Sequence, residues 1–181
     1  DGIRDVAVTG VQTCALPICI DCWGDEQEYV RYGLDLKLWQ KNFEILLNKK
    51  WIKLNINQTI SVLTIKTMPE LLNQLAIWRK VRPVGHFFSE VTPEPTYMMP
   101  HIFGNDIFKE DFETILKLIP ESDAQQYMTG IANRINQSTL DQVEITKLHT
   151  FLSEKDRRRN TNWRKTFPWL EEIFVKAEVN G

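Results

Sequence analysis

Residues 51–63, WIKLNINQTISVL, constrain the fold more than any other stretch of this chain. Ile52, Leu54 and Ile56 alternate with Lys53, Asn55 and Asn57, the period of a strand with one buried face. The period then lengthens. Thr67 and Glu70 form a Thr-x-x-Glu capping box with Leu71, Leu75 and Trp78 behind it on one face, so a helix is expected to begin near Met68. VGHFFSEV, at 84–91, is the next strand candidate, and Pro93, Pro95 and Pro100 end regular structure after it. Upstream, Asp35 is placed to cap a helix whose apolar stripe is Leu36, Trp39, Phe43, Leu46 and Leu47. Strands alternating with amphipathic helices predict an α/β fold built from βα units around a parallel sheet.

Beyond Pro100 the helical period persists. Residues 107–119 carry Ile107, Phe108, Phe112, Ile115, Leu116 and Ile119 at helical spacing, and Ser122 with Gln125 reads as a second capping box for a helix to about Ile135. A third helix is expected from Leu140 to about Arg157, with Val143, Leu148, Phe151 and Leu152 as its apolar positions. No internal repeat or low-complexity linker interrupts the chain.

The 181 residues are 43% hydrophobic and 25% charged, a globular composition. With 22 Lys+Arg against 24 Asp+Glu, the net charge of -2 provides no global field for nucleic acid or an anionic membrane. No apolar stretch is long enough to span a bilayer, so no membrane partner is expected and a cytoplasmic location is. Residues 1–18 show neither period nor signal-peptide layout, and VTGVQTCALPI within them resembles translated sequencing-adapter read-through from assembled environmental DNA. They are expected to lie outside the fold and to pack against nothing. Cys14, Cys19 and Cys22 form C-x4-C-x2-C, the opening of a plant-type ferredoxin site, but there is no fourth cysteine and Cys14 lies in the adapter-like string. No metal site is expected in this chain.

His86, His101 and His149 lack metal-site spacing and read as structural. Serine nucleophile elbows, Walker loops and GxGxxG turns are absent. Glu110 with Asp111, and Glu171 with Glu172, read as solvated helix faces. Lys155, Arg157, Arg158 and Arg159, followed by Trp163, Arg164 and Lys165, allow two readings: a nucleic-acid patch with a stacking aromatic, or cations complementing a helix C-terminus. Neighbouring Glu154, Asp156, Glu171 and Glu172 break the field, which disfavours a nucleic-acid partner.

The run IDCWGDEQEYVRYGLD at 20–35, followed by Asn42, Phe43, Glu44, Leu46 and Leu47, resembles radical S-adenosylmethionine (radical SAM) proteins, especially those with a twitch or SPASM-type accessory region. Asp21 matches the family's turn aspartate, Glu28 and Tyr29 its approach, and Arg31 with Gly33 its Arg-x-Gly step. The tail is similar too: Asp156, Arg157 and Arg158, then Asn160, Thr161 and Asn162, then Thr166, Phe167 and Pro168. The resemblance implies the C-terminal part of a partial (β/α)6 TIM-type barrel over 19–100, followed by a helical region over 101–181. It also implies a truncated enzyme whose parent cleaves S-adenosylmethionine reductively at a 4Fe-4S cluster and abstracts hydrogen from a peptide or small-molecule substrate. The family's C-x3-C-x2-C loop is missing, Cys19 stands where the family has serine and Cys22 where it has glycine, so the chain alone is expected to hold no cofactor and to be inactive.

Arg31 and Asp21 are the implied cofactor-binding residues, with Arg31 directed at the methionine carboxylate; the competing role for Arg31 is a surface pair with Glu28. A half barrel is further expected to expose sheet edges and an uncovered apolar interior face, and so to aggregate. The competing reading of the whole chain is a small α/β interaction module that binds RNA through residues 155–165.

Overall fold

The computed structural model describes residues 14–91, 94–120 and 123–179. It is an α/β structure whose described residues hold a three-stranded parallel sheet and eight α-helices. Strands β1 (Cys14–Cys19), β2 (Ile52–Ile60) and β3 (Gly85–Glu90) stand side by side in sequence order. The registers Ile18↔Ile56 and Ile56↔His86 put those three residues on one face, whereas Cys19, Asn57 and Phe87 share the other.

The first correction concerns β1. Residues 14–18, expected outside the fold, form most of an edge strand paired with β2 along its whole length; residues 1–13 lie outside the described residues. An edge strand needs only backbone pairing on one side and an apolar residue at alternate positions. Ile18 meets the second need by packing against the core beside fully buried Ile20. Pro17, which has no N–H to donate, is compatible with an edge position.

Helices α1 (Gly24–Val30) and α2 (Leu36–Leu47) connect β1 to β2, and α3 (Met68–Val81) connects β2 to β3. Both α2 and α3 cover the same face of the sheet. Leu36, Phe43 and Leu47 meet Leu71, Leu75 and Trp78 over Ile52, Leu54 and Ile56. Phe43 and Trp78 are centred 4.4 Å apart, and Trp39 stacks on Phe43 at 5.2 Å. The opposite face is open and, against expectation, polar: Lys53, Asn55, Asn57 and Thr59 are half-buried or exposed there, with Phe87 (58% exposed) as the large apolar exception. With the crossovers on one side, alternation sends the apolar phase to the helices and leaves the polar phase bare.

Asp35 caps α2 by accepting the Leu38 N–H at 2.9 Å, whereas Thr67 occupies the N-cap of α3 without a side-chain bond. Thr67 has ψ near 12° instead of an extended backbone, and Pro69 removes one N–H that such a cap could receive. Two 3-10 turns, Thr96–Met98 and Pro100–Ile102, lead into α4 (Lys109–Leu118), α5 (Asp123–Asn136), α6 (Gln142–Arg159), α7 (Trp163–Thr166) and α8 (Pro168–Val179). Ser122 lies outside the described residues, and Gln125 Nε2 donates instead to the carbonyls of Leu116 and Ile119 at the end of α4. Val143 is exposed while Leu148 and Leu152 are buried. Asp111 is not a freely solvated acid, because Lys66 donates to it at 2.7 Å. These helices build a second core that takes in Val62, Leu63 and Ile65 from the loop after β2.

Candidate functional site

The carboxyl ends of parallel strands are where loops converge and backbone carbonyls run out of sheet partners, and there this chain concentrates its buried polar groups. Asp21, two residues past β1, is 3% exposed. Its Oδ1 accepts the Thr59 N–H at 2.9 Å, tying the loop to β2. Arg31, at the C-terminus of α1, grips the same carboxylate with Nε at 2.7 Å and Nη2 at 3.2 Å. The two residues implied by the resemblance therefore form one bidentate pair.

Arg31 does not pair with Glu28, whose Oε1 instead accepts the Leu36 N–H at 2.8 Å and helps start α2. Hydrogen bonds from Arg31 to the Asp21 carboxylate raise the guanidinium's already high pKa, so its charge is permanent. The remaining guanidinium N–H groups sit on a residue with a side chain 39% exposed.

Two buried amides complete the loop. Gln27 Oε1 accepts from the Asp21 N–H and the Cys22 N–H, both at 2.9 Å, and from the Cys22 thiol at 3.6 Å. Its Nε2 is buried without a partner among the described residues. Gln58 Nε2 donates to the Asp21 carbonyl at 2.6 Å, while Gln58 Oε1 lies 2.9 Å from His86 Nε2. Since that oxygen can only accept, His86 donates from Nε2. Burial, then the nearby Arg79 charge, lowers the His86 pKa to about 3, so the ring is neutral at ordinary pH. Sequence reasoning missed both amides, although Gln58 carried a signal: it occupies the apolar phase of β2, between Ile56 and Ile60.

The described residues do not fit an iron-sulfur cluster. Cys22 is fully buried and desolvation pushes its thiol pKa well above the ordinary range, opposite to what a thiolate ligand requires. Cys19 is exposed on the open face of the sheet, and the Cys14 side chain lies outside what is described. No group of three His, Cys, Asp or Glu suited to a metal occurs among the described residues.

The basic segment is spread over structural tasks. Arg157 and Arg158 both bond to Glu154, whose carboxyl they hold down to about 2. Asn160 takes a left-handed φ of 52° to end α6, and Asn162 caps α7 by accepting the Lys165 N–H at 3.1 Å. Trp163 is 1% exposed, packed on His149 and Phe174, so it is not presented for stacking on a base. Asp156 accepts from Tyr29 Oη at 2.9 Å, Thr161 Oγ1 at 2.7 Å and the Trp163 N–H at 2.6 Å. This joins the tail to α1, directly before Arg31. No helix among the described residues is long and apolar enough to cross a membrane. Comparison with family models, curated proteins and solved structures found no match.

Proposed function

We propose that this chain forms part of a radical SAM barrel of the twitch or SPASM type and contributes one wall of its mouth. The observation that carries this reading is Arg31, anchored on Asp21 at the carboxyl ends of parallel strands, with guanidinium N–H groups left over for a second carboxylate. Sequential strand order with α2 and α3 on one face suits a partial (β/α)6 barrel, in which the polar face of Asn55, Asn57 and Thr59 would line the lumen. The matching segments at 20–35 and 156–168 add the family likeness, and Asp156 gives the second segment a task in holding the first.

In this reading Arg31 binds the methionine carboxylate of S-adenosylmethionine, and Asp21 orients the fork. When bound, S-adenosylmethionine supplies a radical precursor for hydrogen abstraction from a peptide or small-molecule substrate. Cluster ligands belong to another part of such an enzyme, so the chain by itself is inactive. A cytoplasmic setting suits a protein with free thiols.

The test is an unassembled long read of the gene across codon 19. Continuation upstream in frame into a segment with C-x3-C-x2-C supports the reading, whereas a start codon or a stop at that point overturns it.

A further inference from the structure

A cavity of about 760 Å³ opens between α6, the end of α1 and the 3-10 turn after β3. Neither Asp21 nor Arg31 lines it, so it is separate from the carboxylate-binding edge proposed above. Its apolar lining comes from Val30, Leu63, Tyr97, Met98 and Phe151, with the Tyr97 and Phe151 rings centred 5.3 Å apart. Such a volume suits a small organic molecule. Its other wall is the face of α6 that carries Lys155 and Arg159, one helical turn apart.

The two cations are unlike their neighbours. Arg158 and Lys147, also on the cavity wall, are paired with Glu154 and Glu144. Among the described residues neither Lys155 nor Arg159 has a carboxylate at ion-pair distance; Lys155 donates to the Tyr29 carbonyl at 2.9 Å and both cations lie over tyrosine rings. Asp156, between them in sequence, is committed to Tyr29, Thr161 and Trp163. Like charges four apart on a helix repel, and an anion held between them removes that cost.

We infer that this cavity binds a small organic carboxylate with an apolar or aromatic body, the body against Tyr97 and Phe151 and the carboxylate between Lys155 and Arg159. Burial and the Arg159 charge hold the Lys155 pKa at about 8, the condition of a cation lacking its counter-charge. The inference goes beyond the radical SAM reading and does not depend on it. A gene read that overturns that reading leaves the cavity untouched, and failure at the cavity says nothing about Arg31.

The probe is 3-phenylpropionate, titrated into the whole chain at pH 7 and followed by amide NMR shifts. Saturable binding is expected, with the shifts centred on Thr150 and Phe151. Arg159→Gln and Lys155→Gln should each weaken it about tenfold, and Arg157→Gln, which lies outside the cavity, should leave it unchanged. The neutral 3-phenylpropionamide, acetate and inorganic phosphate should each bind at least about tenfold more weakly. Lack of saturation at about 10 mM probe overturns the inference. So does equal binding of the amide, of acetate or of phosphate, or indifference to both Arg159→Gln and Lys155→Gln in chains that keep the native helical spectrum.

Discussion

The Asp21 carboxylate is almost fully withdrawn from water, so the loop after β1 is only as stable as the donors that carboxylate keeps. Arg31→Gln leaves it with the Thr59 N–H alone and is expected to cost about 1–3 kcal/mol, less than for a fully buried pair because Arg31 is partly solvated. Arg31→Lys should recover only part of the loss, since an ammonium cannot span both oxygens. A urea midpoint unchanged in Arg31→Gln would mean that the pair does not hold the loop. His86 supplies a pH dependence. Its folded pKa of about 3 lies below the ordinary 6.5, so between those values the unfolded chain carries a proton that the folded chain refuses. The contribution is intact above pH 6.5 and is lost as pH falls toward 3. Between pH 4 and 6 the unfolding of the native chain should take up about one more proton than that of His86→Gln; identical pH slopes would contradict the partly buried neutral ring. At this scale the sequence set Asp21 and Arg31 apart only through the resemblance of the segment that carries them. It did not show that they meet, since α1 must form before residues ten apart face one another.

Among the elements, Asp35 and Thr67 read alike as N-caps, but only Asp35 makes the bond. Asp35→Ala should therefore lower stability by about 1 kcal/mol, and Thr67→Ala by no more than a few tenths; equal losses in chemical denaturation would erase the distinction. The end of α6 offers a sharper contrast. Asp156→Ala strands three donors, two of them hydroxyls and one the first N–H of α7, and should cost about 2–4 kcal/mol. Replacing Arg157 and Arg158 together by Gln should stay within about 0.5 kcal/mol, because both face solvent and share one exposed glutamate. If thermal melts ranked these variants the other way, the tail would be held by surface charge and not by Asp156. The helix-end reading of the cations was available from their position. The tie between Tyr29 and Asp156 was not, because 127 positions separate them and no local period signals such a contact.

For the whole molecule, strand order and the side taken by each crossover set what the surface offers. The open face of the sheet is mainly polar, which removes the apolar interior that was expected to drive aggregation and leaves the strand edges as the exposed liability. If β1 is integral, its amides directed at β2 should exchange as slowly as those shared by β2 and β3, whereas exchange at random-coil rates would place residues 14–19 outside the fold after all. Sequence alone determined the elements with a long, clean period: β2, α2, α3 and the helical region, each through an apolar phase that has one way to be buried. Tertiary structure alone decided that Cys14–Cys19, six residues with Pro17 among them, are a strand, because so short a run shows no period until a partner offers its hydrogen bonds. It alone also decided that both crossovers lie on one face, that Asp21 and Arg31 are a single unit, and that Lys155 and Arg159 of α6 border a cavity. Each of these joins chain segments whose meeting depends on packing, a long-range free energy that local side-chain patterns do not encode.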